Sequence, residues 1–205
     1  MTETIQIHKP QPLDDHAVAD LFTSARTVSY FSGEPVSDEQ LTAIWDLAKW
    51  TPTAANTQPL RVLFVNTPEG KERLLRHIND SNKAKVESAG ATAVLAIDPE
   101  YYEFIPTTFP HAAGLRDTFA ANPDVAEASA KISAGLQGGG FIYAVRAVGL
   151  AAGPMTGFDA AGVDAEFFGE SGWKSFLVVN IGQPGENAHL GRLPRVPEEK
   201  ATRFV

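Results

Sequence analysis

A glycine-rich helical pattern between Lys131 and Val148 constrains this chain more than any other feature. Large apolar residues recur there at roughly helical spacing: Ile132, Leu136, Phe141, Val145 and Val148. Four glycines interrupt the pattern: Gly135, Gly138, Gly139 and Gly140. Each glycine inside a helix costs about 1 kcal/mol relative to alanine. The stretch must therefore gain from lacking side chains, and the usual gain is the close approach of another backbone or of a flat ligand.

The residues after this helix predict a loop that presents backbone donors. Gly149 is expected to end the helix, and Gly153-Pro154 and Thr156-Gly157 are typical of turns. A turn-rich loop over residues 149–158 would point free N–H groups outward, which suits a ligand that accepts hydrogen bonds. An ordinary turn after a helix C-terminus is the alternative interpretation.

Composition and charge exclude several classes of protein. The chain has 205 residues, which suits a single domain over residues 1–205, and 43% of them are hydrophobic, enough for a sizeable core. The net charge of −8 argues against a nucleic-acid partner. The absence of cysteine excludes disulfides, thiolate metal sites and cysteine nucleophiles. Any redox chemistry would then need a bound cofactor to carry the electrons.

The chain shows no targeting or membrane signal, which indicates a soluble, cytoplasmic protein. Residues 1–16 are polar and acidic and lack the apolar core of a secretory signal. No apolar run approaches the roughly 20 residues of a membrane span. His111 has no second histidine or carboxylate at metal-ligand spacing, so no metal site is expected.

The periodicity along the chain predicts helices and strands after a loose arm over residues 1–12. Helices are expected at 14–26, 37–50, 68–78, 131–148 and 161–168, and strands at 61–66, 91–97 and 175–181. Ser37 and Gln40 predict a capping box at the start of the second helix. The aromatic, proline-broken segment 98–125 is expected to cover a pocket on the substrate side rather than to build a sheet.

Five motifs occur in a fixed order, and together they resemble one known family. They are Arg26-Thr27, the stretch Pro52-Thr-Ala-Ala-Asn-Thr-Gln-Pro59, Asn82-Lys-Ala-Lys85, Gly153-Pro-Met-Thr-Gly-Phe158 after Gly149-Leu150, and Arg192-Leu-Pro-Arg195. This set is similar to the nitroreductase family of FMN-dependent NAD(P)H oxidoreductases, over roughly residues 20 to 200.

The resemblance implies a fold and an assembly. Nitroreductases have an α+β fold, with a central antiparallel or mixed sheet flanked by helices. They are intertwined homodimers that bind FMN at the subunit interface with residues from both chains. The glycine-rich helix over 131–148 would then be the closely packed helix at the subunit contact.

The same resemblance assigns the FMN phosphate to basic residues at both ends of the chain. Arg26 and Thr27 match the first phosphate motif, and Arg192 and Arg195 are candidates for the second. A guanidinium can bind phosphate oxygens bidentately, and a hydroxyl adds a donor. The family usually carries another basic residue a few positions after Arg26, where this chain has Ser29. A surface arginine at a helix C-terminus is the alternative for Arg26.

Polar residues between the second helix and the first strand are assigned to the flavin. The matching positions are Pro52, Thr53, Ala54, Asn56 and Gln58, with Ala54 where the family has serine. An Asn and a Gln on one turn offer donors and acceptors, as the pyrimidine edge of a flavin requires. A plain polar turn between helix and strand is the alternative.

Two further motifs are assigned to the flavin ring. By resemblance, Asn82 bonds the pyrimidine ring and Lys85 lies near N1 and O2, where a cation offsets the charge of the reduced flavin. A solvated lysine before a strand is the alternative for Lys85. In the Gly-Pro motif the cofactor residues are Pro154, Met155, Thr156 and Gly157, and the backbone N–H groups of the last two meet the N5 edge.

The implied activity is ping-pong hydride transfer from NAD(P)H through flavin N5 to a small-molecule acceptor. Several details resemble the branch with malonic semialdehyde reductase, which forms 3-hydroxypropionate. Arg116 could bind a substrate carboxylate, and His111 is a candidate catalytic acid; both could instead be structural. The alternatives are a broad nitroaromatic or quinone reductase, a non-catalytic flavin-binding protein, and an interaction domain without cofactor.

Overall fold

The computed structural model describes residues 9–188 and 191–205. Most of the loose arm predicted over residues 1–12 therefore lies outside the described residues. In the described part the helices are α1 Asp15–Val18, α2 Asp38–Ala48, α3 Pro68–Leu75, α4 Asp80–Ser88, α5 Ile105–Thr108, α6 Leu115–Ala121, α7 Pro123–Ala147, α8 Ala160–Phe167 and α9 Glu198–Ala201. The strands are β1 Leu60–Val65, β2 Ala91–Ile97, β3 Ala151–Met155 and β4 Lys174–Gly182.

The four strands form one sheet in the order β1-β2-β4-β3, and every neighbouring pair is antiparallel. Leu60 pairs with Ile97, Ala91 with Ile181, and Ala151 with Gly182. The sheet confirms the predicted α+β class with a mainly antiparallel sheet. It also places β3, which contains Gly153 and Pro154 of the Gly-Pro motif, at one edge of the sheet.

Helices cover both faces of this sheet because its central strands are apolar on both sides. Leu95 of β2 packs in the core beneath α2 and α7, beside Ile44 and Phe141. The next residue back, Val94, faces the opposite core with Leu74 of α3 and with residues of α4 and α8. Successive strand residues point to opposite faces, so β2 and β4 connect the two cores.

Local signals that the sequence carries in full are confirmed. The side chain of Ser37 accepts from Gln40 N, and the Gln40 side chain accepts from Ser37 N at 3.0 Å, so the capping box starts α2 as predicted. Pro68 occupies the first turn of α3, where a missing N–H costs nothing. Among the described helices, none combines the length and the apolarity needed to cross a bilayer.

The predicted loop over residues 149–158 is wrong in its first half, which is strand β3. Pairing with β4 overrides the turn-forming residues, and the edge position tolerates a proline without an N–H. A β-carbon on Gly153 would collide with the carbonyl oxygen of Val28, so this glycine serves a close approach rather than a turn.

Two helix boundaries also differ from the predictions. The helix expected at 14–26 is α1 followed by a π-helical turn, Ala19–Thr23, so it ends before Arg26. The central helix begins at Pro123 instead of Lys131. The prediction missed its first turns because they carry alanines and exposed polar residues without an apolar stripe. The segment 98–125, expected to cover a pocket rather than to build a sheet, consists of short helices and the start of α7.

One of the four glycines in α7, Gly140, is required by close packing within the chain. A β-carbon on Gly140 would collide with Thr51 Oγ1, and one on Gly138 would contact the rings and methyls of Phe176 and Leu95. Gly135 and Gly139 have no atom of the described chain within 4 Å of such a β-carbon. The predicted close approach is thus confirmed at Gly140. A β-carbon on Gly138 would make ordinary contacts at 3.6 and 3.7 Å, and at Gly135 and Gly139 the approach of another backbone or of a ligand stays a prediction.

Candidate functional site

A hydrogen-bonded series of three residues joins α4 to the segment after β3. The ammonium of Lys85 donates to Asn82 Oδ1 at 2.8 Å, and Asn82 Nδ2 donates to the carbonyl oxygen of Gly157 at 3.1 Å. Asn82 is buried, whereas Lys85 is partly buried. The two side chains share one face of α4 because they are three residues apart. The predicted pair Asn82 and Lys85 therefore lies directly beside the predicted Gly157.

The backbone around Gly157 is fixed from the other side as well. Asn79 N donates to Gly157 O at 3.2 Å, and Ile78 forms an isolated antiparallel bridge with Phe158. In the described part of the chain, the N–H groups of Thr156 and Gly157 have no acceptor. Two adjacent free donors thus lie beside a held ammonium group, an arrangement that suits an electron-rich, hydrogen-bond-accepting edge of a ligand.

A basic cavity of about 500 Å³ lies at the other end of β3. The predicted residues Arg26, Thr27, Arg192 and Arg195 line it. It is near β3 because Val28 N donates to Ala152 O at 3.2 Å. The cavity and the Asn82 group lie towards opposite ends of β3, whose five residues span about 13 Å from the first to the last.

The arginines of this cavity are held by backbone carbonyls at the end of the π-helical turn. Arg26 donates to the carbonyls of Ser24 and Ala25 at 3.0 and 2.9 Å, and Arg192 donates to those of Thr23 and Ala25. Desolvation, and then the positive charges of Arg26 and Arg195, lower the pKa of the Arg192 guanidinium. Three arginines on the lining of one cavity make it positively charged, which suits an anion.

Sequence reasoning missed a fourth arginine of the same cavity, Arg146. Its Nη1 donates to Leu21 O at 2.7 Å, and its guanidinium carbon lies 5.4 Å from the ring centre of Tyr143. Arg146 lies in the last turn of α7, where the sequence shows only apolar and glycine periodicity. A charged residue in the last turn of that helix was the only available signal.

The residues predicted between α2 and β1 form a separate polar turn. Gln58 N donates to Thr53 Oγ1 at 3.2 Å, and Gln58 Nε2 donates to Asn56 Oδ1 at 3.0 Å. Asn56 and Gln58 have φ of 49° and 48°, in the left-handed region that asparagine tolerates. Pro52 precedes this turn, and the exposed Ala54 lies within it.

This polar turn is remote from the other two groups in the same chain. Ala54 N donates to Ser133 Oγ, near the middle of α7, whereas Arg146 in the last turn of α7 lines the basic cavity. Thirteen residues separate Ser133 from Arg146 on the helix, which is about 20 Å at roughly 1.5 Å per residue. One chain therefore gathers the Asn82 group and the arginines along β3 but leaves residues 52–58 apart.

The two predicted substrate-side residues, His111 and Arg116, lie in residues 98–125, the cover segment, which contacts the polar turn. Asn56 Nδ2 donates to Thr108 O at 2.8 Å, and the ring of His111 packs at a tilt against Phe109 with 4.0 Å between ring centres. Arg116 donates to both carboxyl oxygens of Glu103, at 2.6 and 3.0 Å, and to Asp117 at 2.9 Å. These hydrogen bonds, first to Asp117 and then to Glu103, raise the pKa of Arg116. Arg116 is thus already paired with two acids.

The fold and the sequence together identify a flavin-dependent oxidoreductase. The chain belongs to the nitroreductase family, whose sequence profile matches residues 23–183.

Relatives agree along nearly the whole length. A protein of Streptomyces coelicolor, provisionally named NADH dehydrogenase/NAD(P)H nitroreductase, is 52% identical over 185 residues, which are 90% of this chain and 92% of the relative. A protein of Streptomyces griseus with the same provisional name is 47% identical over 94% of this chain and 98% of the relative.

Solved structures share the fold at lower identity. A nitroreductase of Bacillus subtilis has a TM-score of 0.80 and 20% identity, over 94% of this chain and 100% of that one. A nitroreductase of Exiguobacterium sibiricum, solved in complex with FMN, has a TM-score of 0.81 and 18% identity, over 96% of this chain and 100% of that one.

Proposed function

We propose that this protein is an FMN-dependent NAD(P)H oxidoreductase. The observation that carries the proposal is the Lys85–Asn82–Gly157 series with the two free N–H groups of Thr156 and Gly157 beside it. A flavin ring has acceptors along one edge and gains negative charge when it is reduced. A held ammonium and two backbone donors stabilise such charge.

The donor set fits FMN at both of its ends. FMN has a planar hydrogen-bonding ring at one end and a dianionic phosphate at the other, joined by an extended chain. Asn82, Lys85 and Gly157 would hold the ring, and Arg26 and Arg192 would hold the phosphate. Bound FMN supplies hydride transfer through N5, which no side chain of this protein can supply. In a ping-pong scheme NAD(P)H and the acceptor use the same site in turn.

The proposed active form is a homodimer that shares its flavin sites. Ala54, which contacts Ser133, lies about 20 Å along α7 from Arg146 of its own chain. An exposed apolar strip also runs along α7, with Ile132 69%, Leu136 53% and Tyr143 40% exposed, and with the open positions Gly135 and Gly139 beside them. A second copy on this strip, related by a two-fold axis, would bring its residues 52–58 to the flavin of the first.

The proposed acceptor is malonic semialdehyde, reduced to 3-hydroxypropionate. The support comes from the motifs at Phe109-Pro-His111, Gly153-Pro-Met-Thr-Gly-Phe-Asp159 and Arg192-Leu-Pro-Arg195. Arg116 lies in the cover segment as a candidate for the substrate carboxylate, although that carboxylate must compete with Glu103 and Asp117. Nitroaromatics and quinones, which need no such cation, are the wider alternative.

One experiment separates an enzyme from a flavin-binding protein without activity. The purified protein is loaded with FMN and reduced anaerobically with NADH or NADPH in a stopped-flow instrument, and acceptors are then mixed in one at a time. We expect the flavin absorbance to fall when NAD(P)H is added and to recover when an acceptor is mixed in. A protein that binds FMN without being reduced by either nucleotide is a flavin-binding protein, and one that binds no FMN contradicts the proposal entirely.

A further inference from the structure

The cavity expected to hold the FMN phosphate contains an arginine that no motif assigns. Arg146 reaches it from the last turn of α7, and the same cavity is lined by Ser29. Ser29 stands near the place where the family usually carries a second basic residue after Arg26. Ser29 therefore lines the same cavity as Arg146, which lies 117 residues further along the chain.

The geometry of Arg146 leaves part of its guanidinium for a ligand. Nη1 donates to Leu21 O at 2.7 Å, and the side chain rests against the ring of Tyr143. A guanidinium has five N–H donors in a fixed fork, so Nη2 and Nε keep donors that Leu21 does not use. The residue is partly buried, which limits the freedom of its long side chain.

The positive charge of the cavity suits an anion that carries more than one negative charge. Four arginines line it, and no aspartate or glutamate is among the described lining residues. A phosphate monoester carries about −1.5 to −2 near neutral pH and has three acceptor oxygens. Each charge-assisted contact to such a group is stronger than a neutral hydrogen bond.

We propose that Arg146 is a ligand of the FMN phosphate and replaces the basic residue missing at Ser29. The inference rests on the proposed function, since it assumes that FMN binds. In this arrangement Leu21 O holds one nitrogen of Arg146 while the others donate to phosphate oxygens. α7 thus contributes to the cofactor site with its C-terminal turn.

The test compares two ligands that differ only in the phosphate. Dissociation constants of FMN and of riboflavin are measured by quenching of flavin fluorescence for the wild-type protein and for Arg146→Gln. We expect FMN binding to weaken about 10- to 100-fold, as for loss of one charge-assisted hydrogen bond, and riboflavin binding to stay unchanged. The control is Arg76→Gln, which should change neither constant; Arg76 is the exposed C-cap residue after α3 and pairs with Glu72.

Two further variants keep the result decisive. Ser29→Arg in the Arg146→Gln background should recover most of the lost FMN affinity, because it restores a cation to the cavity. Arg146→Lys should weaken FMN binding but not riboflavin binding, since a single ammonium cannot reach both Leu21 O and the phosphate. This lysine variant decides the question if the glutamine variant does not fold.

The outcomes separate this inference from the proposed function. An unchanged ratio of FMN to riboflavin affinity in Arg146→Gln, or in Arg146→Lys if only that variant folds, would overturn the inference while the wild-type protein still binds FMN. Equal loss of both ligands in a folded variant would make Arg146 a structural residue that positions the turn at Leu21. A wild-type protein that binds neither ligand would overturn the proposed function instead.

Discussion

Asn82 occupies the space in which a β-carbon on residue 157 would lie. The amide nitrogen of Asn82 donates to Gly157 O at 3.1 Å, and an added β-carbon on Gly157 would collide with that same nitrogen. The glycine is therefore required by the position of a side chain 75 residues earlier in the chain. Since Asn82 also holds Lys85, one contact controls both the ammonium and the free N–H groups.

The variant Gly157→Ala should displace Asn82 and weaken FMN binding. Overpacking of this kind typically costs about 1–3 kcal/mol, so we expect the dissociation constant for FMN to rise about 10-fold or more. Gly169→Ala is the control, since its β-carbon would lie at an ordinary 3.5 Å from Ala165 O. Flavin fluorescence titration measures both, and equal FMN affinities would show that the Asn82–Gly157 contact does not shape the site.

The variant Lys85→Met should slow reduction of bound FMN by NAD(P)H. Its ammonium is the cation held at Asn82 Oδ1, and its removal takes away the charge that offsets the reduced flavin. We expect the rate of anaerobic reduction to fall about 10-fold or more and the midpoint potential to become more negative. Lys83→Met, a neighbouring lysine of α4 paired with Asp80, should leave both unchanged. A potential and a rate that match the wild-type values in Lys85→Met would exclude this role.

Arg116→Ala tests the identity of the acceptor. Because Glu103 and Asp117 already pair with Arg116, we expect kcat/KM for malonic semialdehyde to fall only about 10-fold, near the low end for loss of a charged hydrogen bond. An uncharged quinone has no carboxylate to lose and should react at the wild-type rate. Equal losses on both acceptors, or none on either, would make Arg116 structural and would remove the support that this residue gives to the semialdehyde.

Leu136→Glu tests the proposed dimer contact on α7. Leu136 is 53% exposed in the chain, so the substitution should leave the fold of the chain intact while placing a charge in the subunit contact. We expect light scattering to show a monomer and FMN binding to be lost with the dimer. Ala161→Glu, on an exposed position of α8 across the sheet, should remain dimeric and bind FMN. A dimeric Leu136→Glu protein would place the contact elsewhere.

Much of the fold could be predicted because its signals are local. The capping box of α2, the proline that opens α3 and the apolar runs of β2 and β4 each lie within one element. Strand β3 could not, since Gly153 and Pro154 are turn formers and only pairing with β4 makes them a strand. A local sequence pattern does not indicate that long-range pairing.

The candidate residues could be proposed one by one from the sequence, but their grouping could not. Motif resemblance identified Asn82, Lys85 and Gly157, which the fold brings into one hydrogen-bonded series. Arg146 was missed because its place in the basic cavity depends on how α7 packs beside Leu21. The separation of residues 52–58 from the arginines depends on the contact of Ala54 with Ser133, a long-range contact that a local sequence pattern does not indicate.

Mixing two inactive variants tests the central claim, a flavin site shared between two copies, most directly. Gly157→Val damages the group at β3, whereas Ala54→Glu places a carboxylate in the exposed polar turn. The two proteins are unfolded together, refolded at equal concentrations and titrated with FMN. Random pairing makes about half of the dimers mixed, and each mixed dimer has one undamaged shared site, so FMN should bind to about a quarter of all sites. If the mixture binds no more FMN than either variant refolded alone, each site belongs to a single chain and the account is contradicted.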